Sequence, residues 1–374
     1  MGKRRIIEVS SDTNIGGAGK CLIALLKNFD YDKYEVKVIL PPDSLLKPEI
    51  TSLGIEVIEV DGIAEKSLSL GSIRALRDVF KRERAELVHT HGSMSARIAA
   101  RQAGAKVVYT RHSVFPQPKK LTTQPGKAVN GLINNHYADG IIAVAEAAKD
   151  NLTETGVDPG LIRVILNGVK GLSPADAEER QKNRLRFGIT DDDDKVISIV
   201  ARLEDIKGHE YFIDAADILL KNGVKAKFLI AGTGSYEPTL REKVKSMSLD
   251  GKVIFTGFIN DIENLMKITD IQVNASYGTE ATSLALLEGM SLGIPAVVSD
   301  FGGNPGVIKN GENGFVVPKQ NAEALATGIN RLLTDKKLYR RMSDKAIDIF
   351  KTTFTAEAMT RSTEALYDEL LERS

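Results

Sequence analysis

Short runs rich in β-branched residues alternate with amphipathic helical stretches along nearly the whole chain, and this alternation constrains the fold more than any other feature. A strand that returns through a helix to the same sheet lies parallel to its predecessor, so the pattern predicts parallel α/β sheets. In the first half, strands are expected at Arg5–Ser10, Glu35–Leu40, Glu56–Val60, Leu87–His91, Lys106–Thr110, Gly140–Val144 and Arg163–Leu166. Helices such as Gly17–Asn28 and Ser72–Glu83 connect them. The apolar rhythm then lapses, and the polar stretch Pro174–Arg184 reads as a linker. Alternation restarts with strands at Val196–Val200, Lys227–Ala231, Val253–Thr256, Ile271–Asn274, Ala296–Ser299 and Gly314–Val317. Helices are expected there at Glu210–Lys221, Leu284–Ser291 and Ala322–Leu333.

At 374 residues the chain is too long for one ordinary core. The expected architecture is α/β, with two Rossmann-like domains whose parallel sheets face a central cleft. Their bounds are residues 1–172 and 173–354, and a helical stretch over 355–374 has the first domain as one docking place. The composition, 42% hydrophobic and 27% charged with zero net charge, is that of a soluble globular protein and gives no reason to expect nucleic acid as a partner. A single cysteine, Cys21, excludes an intrachain disulfide and fits a reducing cytoplasm. The basic start is followed by an apolar run too short for a signal peptide, and no 18-residue apolar stretch occurs, so neither export nor a membrane span is expected. From Leu87 to Ala138 there is no Asp or Glu, while Arg97, Arg101, Lys106, Arg111, Lys119, Lys120 and Lys127 all fall inside. That predicts a local electropositive field hidden by a neutral total.

Phosphate-loop motifs fail on inspection. Gly16-Gly17-Ala18-Gly19-Lys20 is followed by Cys21 where a P-loop needs Ser or Thr, and Gly232-Thr233-Gly234 lacks the third glycine of a dinucleotide fingerprint. Asp191–Asp194 reads as a solvated turn, and no metal cluster is expected. The stretch from Tyr277 to Met290 is more informative. Glu280 falls in a loop, Thr282-Ser283 is a natural cap, and Glu288 lies one turn into the helix that follows. Free amides at a helix N-terminus suit a diphosphate, and ionised carboxylates accept hydrogen bonds from sugar diols. Arg202 and Lys207 stand just beyond the carboxyl end of a strand, where open α/β sheets bind ligands, and two cations there can hold a diphosphate.

With these residues in place, the chain resembles the retaining glycosyltransferases of family 4, with the GT-B fold. The resemblance rests on Gly16-Gly17, Val88-His89-Thr90-His91-Gly92, Thr110-Arg111-His112, Ile165-Leu166-Asn167-Gly168-Val169, Arg202 with Lys207-Gly208, Ala231-Gly232-Thr233-Gly234, Phe255-Thr256-Gly257-Phe258, and Glu280 with Glu288. It implies an acceptor-binding first domain and a nucleotide-sugar-binding second domain. Arg202 and Lys207 would bind the donor diphosphate, Glu280 the donor-sugar hydroxyls and Glu288 the ribose diol. Amides around Thr282, Ser283 and Leu284 would face phosphates and sugar, with Gly232 in the same donor-binding set. Gly16 and Gly17 would close the site, His112 would stand beside the transferring sugar, and Gly257-Phe258-Ile259 would line the base. Many members have Phe-Gly where this chain has Thr282-Ser283, which leaves donor identity open. His89 and His91 read as strand-end residues.

The expected activity is therefore hexosyl transfer from a nucleotide-diphosphate sugar, with a UDP-sugar foremost. No separate cofactor and no metal are expected, and the resemblance implies retention of anomeric configuration. Sugar-nucleotide epimerisation, phosphorolysis, or nucleotide-sugar binding without catalysis are the alternatives. The basic stretch suggests an anionic or lipid-linked acceptor, such as a cell-envelope glycan precursor, and a peripheral contact with the cytoplasmic membrane face. Within it, Val114–Lys127 reads as a mobile basic loop with apolar tips.

Overall fold

The computed structural model describes residues 2–64, 68–260 and 262–373, and the chain divides into two compact units. One comprises Met1–Val169 with Thr355–Ser374, the other Lys170–Phe354.

The first unit is built on a seven-stranded sheet of β1 (Arg4–Ser10), β2 (Tyr34–Leu40), β3 (Glu56–Glu59), β4 (Leu87–His91), β5 (Lys106–Arg111), β6 (Gly140–Ala143) and β7 (Ile162–Val164), in the order β3-β2-β1-β4-β5-β6-β7. Every described pairing in it is parallel. Side chains alternate across β1: Ile7 and Val9 join Leu76, Val88 and Val107 on one face, and Ile6 joins Leu22, Leu26 and Leu87 on the other. The helix Ala356–Glu372 covers that second face, packing against the helix Gly17–Asn28 and burying Tyr367 and Leu370. Its entry is fixed by the Ala356 amide donating to Val169 O at 3.1 Å and by the Thr355 hydroxyl capping the Ala358 amide.

The second unit holds β8 (Lys195–Val200), β9 (Ala226–Ala231), β10 (Val253–Gly257), β11 (Ile271–Asn274), β12 (Ala296–Ser299) and β13 (Gly314–Val317), in the order β10-β9-β8-β11-β12-β13. All described pairings are again parallel. In each sheet the strand order reverses once, between β1 and β4 and between β8 and β11. The carboxyl ends of those strands are where such sheets bind ligands.

The expected linker is not one. Residues Ala177–Arg186 form a helix, capped by Asp176, whose carboxylate accepts from the Glu179 amide at 2.8 Å. Its polarity misleads because its hold is ionic: Arg180 donates to Lys267 O and Asp270, and buried Arg184 donates to the carbonyls of Asp191 and Asp194. Val114–Lys127 likewise contains ordered turns, with a helix at Lys119–Thr122 and another beginning at Gly126. Val114 is buried, Leu121 half-buried, and Phe115 exposed. Among the described residues no helix is long and apolar enough to cross a membrane.

Candidate active site

In the second unit, polar side chains gather at the carboxyl ends of β8 and β11. A one-turn helix, Asp205–Lys207, follows β8 and ends at Gly208, whose φ of +74° and 2.1 Å approach of an added Cβ to Ala275 O admit no side chain. That turn directs Lys207 onto the loop after β11. Its Nζ donates to Thr279 O at 2.7 Å and to Glu280 Oε2 at 3.2 Å, with both side chains almost fully buried. The same carboxylate oxygen accepts from Asn274 Nδ2 at 3.1 Å and from the Ser276 hydroxyl at 3.2 Å. Three donors on one oxygen fix the plane of the Glu280 carboxylate. Three residues on, Ser283 caps the helix Leu284–Ser291, its hydroxyl accepting from the Leu286 amide at 3.4 Å. The first-turn amides and positive dipole end of that helix thus lie in sequence directly beyond the fixed carboxylate.

The two expected cations have different partners. Arg202 is 71% exposed and pairs with Glu204 at 3.0 Å, while Lys207 is committed to Glu280. Glu288 is half-buried on the capped helix, and Phe258 is 63% exposed after β10 with Ile259 half-buried beside it. Gly232 has a packing reason to be glycine: at φ +139° an added Cβ would stand 2.0 Å from Ala201 O, so the ends of β8 and β9 could not approach.

In the first unit, Gly16 and Gly17 lie exposed at the N-terminus of the helix Gly17–Asn28, with open space where a Cβ would stand. His112 is partly buried just past β5. It ends a hydrogen-bonded chain that the sequence reading missed. His91 does end β4 and His89 lies within it; both are buried, on the face covered by the helix Ala356–Glu372. His91 Nε2 meets Glu8 Oε2 at 2.9 Å, and His91 Nδ1 meets His112 Nε2 at 2.8 Å. His89 Nδ1 meets the Tyr367 hydroxyl at 2.6 Å, His89 Nε2 meets Thr110 Oγ1 at 2.6 Å, and Tyr367 donates to Glu8 Oε1 at 2.8 Å. Burial alone would raise the Glu8 carboxyl, but the imidazoles of His89 and His91 outweigh it and hold it well below the usual carboxylate range. Burial, with His91 and His89 adding to it, pushes the His112 imidazole well down. Ligand-type atoms of Glu8, His89 and His91 lie within 4.8 Å of one another, and each of these side chains is already hydrogen-bonded within the chain.

The electropositive field is smaller than expected. Buried Arg97 donates to Tyr137 O and to Asn134 and stacks on Tyr109, and Arg101 pairs with Asp139 at 3.1 Å. Both are spent on the scaffold. Lys119 and Lys120 remain exposed, and Arg111 lies over the Phe115 ring at 4.6 Å.

The Glycosyltransferase Family 4 model matches residues 15–170, and the Glycosyl transferases group 1 model matches residues 180–348. The Escherichia coli UDP-Gal:alpha-D-GlcNAc-diphosphoundecaprenol alpha-1,3-galactosyltransferase is 31% identical over 290 residues, covering 71% of each chain. The chain belongs to glycosyltransferase family 4. As a family 4 glycosyltransferase it is also 23% identical to the N-acetyl-alpha-D-glucosaminyl L-malate synthase of Bacillus anthracis, over 98% of this chain and 97% of that one. Its fold is that of the GT-B glycosyltransferases. The Anabaena protein HepE, solved in complex with UDP and glucose, superposes with a TM-score of 0.84 at 22% identity, covering 97% of this chain and 99% of that one.

Proposed function

We propose that this glycosyltransferase moves a hexosyl group from a UDP-sugar to an anionic, lipid-linked acceptor, with retention of anomeric configuration and without a metal ion. The Lys207–Glu280 pair beside the capped helix Leu284–Ser291 carries the reading: it places a cation, a fixed carboxylate and helix amides in consecutive segments at the β8/β11 switch point. Breaking the glycosyl–phosphate bond leaves positive charge on the anomeric carbon and negative charge on the departing diphosphate. Lys207, Arg202 swung from Glu204, and the first-turn amides supply the positive charge that a metal would otherwise provide. Glu280 accepts from donor-sugar hydroxyls, Glu288 from the ribose diol, and Phe258 with Ile259 flanks the base. The family resemblance assigns His112, Gly16 and Gly17 to the transferring sugar as well. The acceptor oxygen bonds to the anomeric carbon on the face the diphosphate leaves, and its proton passes to the departing phosphate oxygen.

Support for the acceptor class comes from the helix Gly126–His136. Val129, Leu132 and Ile133 form an apolar stripe at helical spacing, 55%, 72% and 42% exposed, and Phe115, Lys119, Lys120 and Lys127 lie nearby in sequence. An apolar stripe flanked by lysines suits the cytoplasmic face of an anionic bilayer, each lysine contributing roughly 1 kcal/mol. The Escherichia coli relative is named for an alpha-D-GlcNAc-diphosphoundecaprenol, a compound of that class. Incubation with a panel of nucleotide sugars tests the activity: nucleotide release with sugar on a lipid-diphosphate acceptor is expected. A new nucleotide sugar would mean epimerisation, and binding alone would mean a sensor. Failure of the wild-type protein to sediment with anionic liposomes at low salt would remove the membrane part.

A further inference from the structure

The buried chain of the first unit does more than pack. Glu8 lies in β1, in register with His89 across the β1–β4 pairing, and Ser10 is in register with His91. Glu8, His89 and His91 therefore share one face, and helix Ala356–Glu372 seals it with Tyr367. Glu8 is 0% exposed, His89 2% and His91 7%, whereas His112 is only partly buried. The chain thus runs from a sealed carboxylate outward to one accessible ring.

Its hydrogen bonds have a direction. An ionised carboxylate accepts only, so His91 Nε2 carries a proton. With one proton on each ring, His91 Nδ1 is then a lone pair, and His112 Nε2 must donate to it. Tyr367 donates to Glu8, its oxygen takes the His89 Nδ1 proton, and His89 Nε2 accepts from Thr110. Every ring finds a consistent role, and the proton arrangement is set from the Glu8 end.

We propose that Glu8 and His91 are positioning residues that lock His112 in the tautomer with an unprotonated Nδ1, so that the ring meets its ligand as a hydrogen-bond acceptor. The His112 ring then selects a hydroxyl as its partner and disfavours a carboxylate or phosphate, which also only accepts. This rests on His112 standing beside the transferring sugar. The low proton affinity of His112, caused by burial and by its two imidazole neighbours, keeps the acceptor state populated near neutrality. Among the described residues, Asp12, two residues past β1 and near His91, and Glu364, near Tyr367, are further carboxyls facing this chain.

The chain has five histidines, so nitrogen-15 spectra of the histidine-labelled full-length protein at pH 8 are tractable. Expected are Nε2–H tautomers for His91 and His112 and Nδ1–H for His89. An Nδ1–H tautomer at His112 overturns the proposal. Glu8→Gln and His91→Leu should each lower kcat at least about tenfold with little change in donor KM, and the double variant should be no worse than either. Fully additive losses, or an unchanged kcat in a folded Glu8→Gln protein, also overturn it. Near-ultraviolet circular dichroism and protection of the first unit from proteolysis check that the variants remain folded. If His112→Ala itself turns over normally, the placement of His112 is at fault and not the tautomer lock. Stoichiometric Zn²⁺ binding that Glu8→Gln abolishes would mean that these lone pairs serve a metal instead.

Discussion

Lys207 and Glu280 form a buried ion pair in which the carboxylate keeps two further donors, Asn274 and Ser276, whichever way the lysine moves. A diphosphate can therefore draw Lys207 away without leaving Glu280 unsatisfied. On the proposed function, the pair is a resting state from which the cation is released to the donor.

Arg202 and Lys207 should part company in stability. Arg202→Ala removes an exposed pair with Glu204, worth at most about 1 kcal/mol, so thermal unfolding should be nearly unchanged. Lys207→Ala uncovers a buried carboxylate and should cost about 2–3 kcal/mol, lowering the midpoint by several degrees. Both should reduce turnover by roughly two orders of magnitude, because each removes a contact to the departing diphosphate. Calorimetric scans beside initial rates check this, and a fully active Arg202→Ala enzyme would remove Arg202 from the site.

The two glutamates should divide the donor. Glu288→Ala should weaken binding of free nucleoside diphosphate, and Glu280→Ala should spare it while weakening the intact nucleotide sugar. Titration calorimetry with both ligands decides the matter. Equal losses for both ligands in both variants would sink the assignment.

His209, 0% exposed at the start of the helix His209–Lys221, predicts a pH dependence. Burial holds its imidazole down to about 4 from the ordinary 6.5, with the Lys207 charge adding to the effect. Below pH 6.5 the unfolded imidazole takes a proton that the native one refuses, so stability falls as pH falls, by about 3 kcal/mol at pH 4. His89 and His112 act in the same direction in the other unit. Denaturant unfolding of wild type and His209→Leu between pH 7 and 4.5 isolates the His209 part. Parallel curves would show that His209 contributes none of it.

Transfer should survive exhaustive chelation. Loss of activity in EDTA, with recovery on adding Mg²⁺ or Mn²⁺, would contradict the assignment of leaving-group stabilisation to Lys207, Arg202 and helix amides.

The strands were legible because central parallel strands are buried on both faces and so read as β-branched runs, as in Val196–Val200. The loop Tyr277–Ser283 was legible because caps and turn formers are local chemistry. What stayed hidden depends on distant partners. Glu8 stands 83 residues from His91 and 359 from Tyr367, and no spacing rule spans such gaps. Its one trace in sequence is an acid inside the otherwise apolar run Ile6–Val9. The helix Ala177–Arg186 stayed hidden for the same reason, since Arg180 is held by Lys267 and Asp270. Asn274 and Ser276 read as turn formers, and only the structure shows them holding Glu280.

The helix Ala356–Glu372 also sets an order of assembly. The hydroxyl that Glu8 needs comes from Tyr367, which a ribosome adds after the entire Lys170–Phe354 unit. The amino-terminal sheet therefore waits, with a charged carboxylate and two imidazoles uncovered on one face, while the carboxyl-terminal unit is being made. A released chain truncated after Phe354 should leave the first sheet open to proteolysis while its second unit stays protected.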